Sequence, residues 1–124
     1  MIWTMRVLTV CFVLLSAFAA QAQSAKEMLG ACEVLQRAMH REGSIVPERA
    51  DMNRCWGFME AVQEYAVLLD RNGKTLLNAC PLSYTTTADI VKVFIQYARA
   101  HPEKLYQNAA AIAYDAMADA FPCK

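Results

Sequence analysis

Cys32, Cys55, Cys80 and Cys123, with His40 and His101, are the residues whose types lend themselves to thiol, metal or general-base chemistry. Their spacing removes most of it. Zinc takes thiolate or imidazole ligands at short paired spacings, and the sequence contains no CxxC and no HxxxH. CxxCH for haem attachment and CxxC for redox work are missing too, as is a glycine-rich phosphate loop. His40 falls near the end of a predicted helix, where the dipole favours a cation. His101 stands before Pro102 in a helix-stop signal. Glu60 and Glu64, four apart, read as solvated charges on the polar face of an amphipathic helix. No nucleophile, base and orienting group come together. The expectation is therefore no catalytic residue, no metal and no cofactor. What remains for the cysteines is disulfide formation.

That chemistry needs an oxidising compartment, and the first residues supply a route to one. "MIWTMRVLTVCFVLLSAFAAQA" has Arg6 as a short basic region, an apolar stretch from Val7 to Ala20, and Ala20-Gln21-Ala22 as a cleavage pattern. The apolar run is shorter than the roughly 20 residues that span a bilayer. Residues 1–22 thus read as a signal peptide, with Met1 or Met5 as the start, and residues 23–124 as one exported, periplasmic domain with no membrane attachment. Of 12 basic and 12 acidic residues the mature chain keeps 11 and 12, a net charge of −1. Such a balance gives no electrostatic case for nucleic acid or anionic membranes.

Four cysteines in a small exported domain imply two disulfides, for which three pairings exist. Cys123, one residue from the last, invites a staple that fixes the tail. The favoured arrangement joins Cys123 to Cys32, closing about 90 residues for about 4–5 kcal/mol, and Cys55 to Cys80 for about 3–4 kcal/mol in the loop-entropy model.

The elements between the cysteines are helical. Ser24 is an N-cap for a helix carrying Met28, Cys32, Leu35 and Met39 at spacings of three and four, ended by Gly43. Pro47 fits the first turn of a second helix. Its stripe is Met52, Cys55, Met59, Val62, Ala66 and Leu69, widened by Trp56, Phe58 and Tyr65, and stopped by Asn72-Gly73. Gly57 inside it predicts a close approach by another segment. Lys74 to Tyr84 reads as a loop held at Cys80. Thr85 to Thr87 offer a cap for a third helix that buries Ile90, Val91, Phe94, Ile95 and Ala98 and stops at His101-Pro102. A fourth begins near Asn108, turns Ile112, Ala113, Ala116, Met117 and Ala120 inward, and ends at Pro122. No segment alternates long enough to be a strand. The fold class is all-α: four helices and two disulfides. The polar loop "LDRNGKTLLNACP" is the natural recognition element on such a scaffold, with Asp70, Arg71, Asn72, Lys74 and Asn78 as partner-binding candidates.

"CWGFMEAV" from Cys55, "CP" at Cys80-Pro81, "YARAHPE" ending at Glu103 and the closing "DAFPC", in this order, resemble the Rap/Tai immunity family over roughly Leu29 to Cys123. Ala61 stands where the family often has a second glycine. The resemblance implies a small periplasmic helical protein that binds a toxin delivered by type VI secretion, in the Tai branch a peptidoglycan amidase. It implies occlusion of the toxin's groove by a protruding element, a homodimer in some members, and a Cys55–Cys80 bridge. The function expected is an immunity protein whose partner is a secreted cell-wall amidase effector, not an enzyme. The alternatives are a periplasmic stress or holdase chaperone and an orphan envelope-associated binding domain.

Overall fold

A computed structural model describes residues 22–40 and 50–124 of the 124-residue chain. The expected signal peptide, apart from Ala22, and Gly43 and Pro47 lie outside the described residues. Within them the helices are α1 (Ala25–Met39), α2 (Ala50–Ala66), α3 (Thr87–Ala100) and α4 (Ala109–Ala120), with a 3₁₀ turn at Pro102–Lys104. No strand is present among the described residues, only isolated bridges at Ser24–Asn108 and Leu69–Thr75.

Local sequence sets the helix starts. Ser24 caps α1 in a capping box with Glu27, and Thr86 caps α3 in a second box with Asp89. In each, a hydroxyl accepts from the N3 amide while the N3 carboxylate accepts from the cap amide, so two otherwise unpaired donors are satisfied. The next donors of α1 find partners elsewhere: Ala25 N–H donates to Gln107 O at 2.8 Å and Lys26 N–H to Leu105 O at 2.8 Å. Ala109 N–H in turn donates to Gln23 O at 2.9 Å, so the entry to α1 is laced to the entry to α4. Asn108 caps α4 through Oδ1 on the Ala110 amide.

α3 is the central helix and packs on all three others. Its Ile90, Val91, Phe94, Ile95 and Ala98 are each no more than 1% exposed, and burying each larger one contributes about 1.5–3 kcal/mol. Met28, Cys32, Met59, Ile112, Ala113 and Met117 complete the core. Polar ties hold the helices at their edges. Arg99 pairs with Glu33 at 3.0 Å between α3 and α1. Gln63 on α2 donates to Thr85 O at 3.0 Å and accepts from the Thr87 hydroxyl. Lys104 reaches the Tyr97 hydroxyl at 2.8 Å and Asp115 at 3.1 Å, and these bonds raise its pKa above the usual lysine value.

The disulfides are Cys32–Cys55 and Cys80–Cys123, each with Cα atoms 5.0 Å apart. This corrects the expected Cys32–Cys123 and Cys55–Cys80 pairing, including the bridge implied by the family resemblance. Loop entropy separates the alternatives by only about 1 kcal/mol, whereas helix packing fixes which sulfurs can meet. Among the described helices α1 and α2 share the most extensive interface, which brings Cys32 and Cys55 together with no exposure. α4 lies against α3 and delivers Cys123 beside Cys80, just before α3 begins. The tail is stapled, as expected of Cys123, but to the loop and not to α1.

Other expectations shift at the end of α2. The helix stops at Ala66, so Leu69 lies beyond it and is exposed, while Trp56 and Tyr65 are also exposed. Ala120 is exposed at the end of α4. Gly57 has open space where a Cβ would be, and no segment approaches it.

Candidate functional site

The loop proposed for recognition is an ordered hairpin after α2. Asp70 N–H donates to Lys74 O at 2.7 Å, and Leu76 N–H donates to Leu68 O at 3.0 Å. The Asp70 carboxylate turns inward: its Oδ1 accepts from the amides of Asn72 at 2.7 Å and Lys74 at 2.9 Å. Gly73 takes φ +75°, which glycine adopts without a Cβ penalty. Asn78 takes φ +47°, a region that asparagine enters more readily than most residues.

Of the five residues named from the sequence, Asp70, Arg71, Asn72 and Lys74 therefore fall together at the hairpin tip, and all are exposed. Asp70 is committed to shaping the turn. Asn78 is exposed too, but lies past the hairpin in the turn leading to Cys80. The polar reading of this loop missed its apolar surface. Val67 is 68% exposed and Leu69 60%, with Leu68 and Leu76 exposed beside them in the same paired segment. Leu82 and Tyr84 follow, Tyr84 at 76%. The signal was present in "AVLLD": four apolar residues in a row that no single helical stripe can bury.

The hairpin adjoins a groove between α2 and α4, helices that make no extensive contact with each other. Phe58, Val62 and Tyr65 line it from α2, Ala113 and Tyr114 from α4, and Leu77 from the loop, enclosing about 260 Å³. The α2 wall follows from sequence, because Phe58, Val62 and Tyr65 recur at spacings of four and three. Their stripe is offset from the Cys55–Met59 stripe that faces the core. An apolar groove of this kind can take a partner's side chains.

The histidines are placed differently. His40 is the C-cap of α1, its amide donating to Gln36 O at 3.3 Å. His101 caps the end of α3, stacks on Tyr97 with ring centroids 4.2 Å apart, and lies 3.2 Å from Glu103 through Nδ1. Glu103 is held below the usual carboxylate pKa by its own backbone amide and then by His101. Glu60 and Glu64 are exposed on α2. Among the described residues, no group of three or more His, Cys, Asp or Glu is placed to hold a metal ion. No helix among them is long and apolar enough to cross a membrane.

No curated protein and no solved structure matches the chain. The sequence profile of the Rap1a immunity proteins matches residues 24–123. That span runs from the serine that caps α1 to the cysteine that closes the second disulfide. With all four helices, both disulfides and the groove inside the matched region, the chain belongs to the Rap1a immunity protein family.

Proposed function

We propose that this protein neutralises a type VI secretion effector, a peptidoglycan amidase, by covering it in the periplasm. It would act as a passive plug with no catalytic group of its own. Membership of an immunity family supports binding to a secreted effector protein. The observation that carries the reading is the apolar hairpin beside the α2–α4 groove, since exposed apolar patches of this kind mark protein-binding surfaces. Stable one-to-one association needs about 800 Å² on each partner. The hairpin and groove together offer the apolar centre of such a patch, and Arg71, Asn72 and Lys74 its polar rim.

Periplasmic location is supported by two disulfides, which persist in oxidising compartments. On this reading residues 1–22 are removed on export and residues 23–124 are the working domain. The test is co-purification with any hydrolase that a neighbouring gene encodes, followed by a peptidoglycan amidase assay of that hydrolase with and without this protein. The expected result is a one-to-one complex and loss of cleavage. Cells lacking the protein that stay indifferent to every neighbouring toxin would sink the reading. Dye binding and loosening on acidification, without effector binding, would point instead to a holdase.

A further inference from the structure

The two disulfides occupy opposite environments. Cys32 and Cys55 have no exposure, whereas Cys80 and Cys123 are both exposed. Thiol–disulfide exchange requires an attacking thiolate to reach a sulfur, so access ranks the two bonds. The exposed bond also lies against the hairpin. Cys80 N–H donates to Phe121 O at 2.7 Å, and Cys123 Sγ lies 3.8 Å from the Thr75 hydroxyl. Thr75 is the residue that bridges to Leu69. Residues 121–123 thus run from beside Cys80 to the base of the hairpin at Thr75, and Cys80–Cys123 is the covalent tie that holds them there.

We propose that Cys80–Cys123 is a thiol–disulfide exchange site, opened selectively by a dithiol while Cys32–Cys55 stays closed, and that opening it releases the hairpin of residues 68–76. A thiolate of the dithiol attacks one sulfur; the Cys80–Cys123 bond breaks as a mixed disulfide forms, and the other cysteine leaves as a thiolate. The dithiol's second thiolate then attacks its own sulfur in the mixed bond and frees the remaining cysteine. Two electrons pass to the protein, the dithiol becomes a disulfide, and its two protons end on Cys80 and Cys123. That release of the hairpin weakens effector binding rests on the function proposed above; the order of opening does not.

The experiment treats the purified, oxidised protein with graded dithiothreitol, traps thiols by alkylation and maps them by mass spectrometry. Labelling of Cys80 and Cys123 at least about tenfold faster than Cys32 and Cys55 is expected. Amide exchange at Asp70, Gly73 and Leu76 should rise about tenfold once the bond opens, with α1 and α3 unchanged. The double variant Cys80→Ser, Cys123→Ser should reproduce that exchange pattern without reductant. Labelling of all four cysteines together, or of Cys32 and Cys55 first, overturns the selectivity. Unchanged hairpin exchange in the opened protein or in the double variant overturns the link to the hairpin. Neither readout contains an effector, so failure of the amidase reading leaves both results standing.

Discussion

The buried face of α3 and the hairpin end of the molecule are built from similar residues used in opposite ways. Ile90, Phe94 and Ile95 are sealed between three helices, while Val67, Leu68 and Leu69 stand in solvent only a short stretch of chain earlier. The first region spends its apolar area on stability. The second keeps its area exposed, which adds nothing to the isolated fold and is the face we propose for the partner. The disulfides divide along the same line, one within the core and one at the surface beneath the hairpin.

Substitutions in the two regions should separate by size. Phe94→Ala removes a side chain only 1% exposed, and a loss of about 3–5 kcal/mol is expected in chemical denaturation. A loss below about 1 kcal/mol would mean that α3 is not the centre of the core. Cys32→Ala with Cys55→Ala removes a crosslink spanning 23 residues, with an expected cost of about 3 kcal/mol. The loop-entropy model alone ranks the 43-residue Cys80–Cys123 crosslink slightly higher. Burial of the first pair among core residues should reverse that order. If Cys80→Ser with Cys123→Ser costs more in the same denaturation experiment, the contrast between rigid core and separable brace fails.

Smaller effects are expected at the surface. Leu69→Ser should change stability by less than about 0.5 kcal/mol yet weaken effector binding by about 1–2 kcal/mol in calorimetry. Equal effects on both would make the hairpin a structural element and not a recognition one. The smallest effect is at the α3 capping box. The amide and then the hydroxyl of Thr86 hold the Asp89 carboxyl below its ordinary pKa of 3.8. A depressed folded-state value means that this contribution is complete above pH 3.8 and fades as pH falls through the lower folded value. An NMR titration should place the Asp89 midpoint below 3.8 in the native protein, and Thr86→Ala should move it back up.

The helices were legible in the sequence because their signals are local. Ser24 and the Thr85–Thr87 run announce two helix starts, Pro102 stops α3, and the spacing of Ile90, Val91, Phe94, Ile95 and Ala98 draws a single face. Reading failed where a stripe was followed past its helix. Leu69 continues the spacing of α2, but the chain has already turned at Leu68, whose amide bonds Tyr65 O at 3.2 Å. Gly57 inside a helix predicts a contact point, yet it is open to solvent. Within the candidate site, the polar tip from Asp70 to Lys74 could be found from its turn residues. Its apolar neighbours and the α2 wall of the groove left a local trace in the spacing, but that α4 supplies the facing wall did not.

The sequence by itself determined a small helical domain with an even set of four cysteines after residue 22, because caps, breakers and apolar spacing act within a few residues of one another. Only the tertiary structure decided which sulfurs join and which apolar residues stay exposed. Both depend on how α1 meets α2 and how α4 falls against α3, where segments distant in the chain compete for the same neighbours, and no local spacing encodes the outcome of that competition.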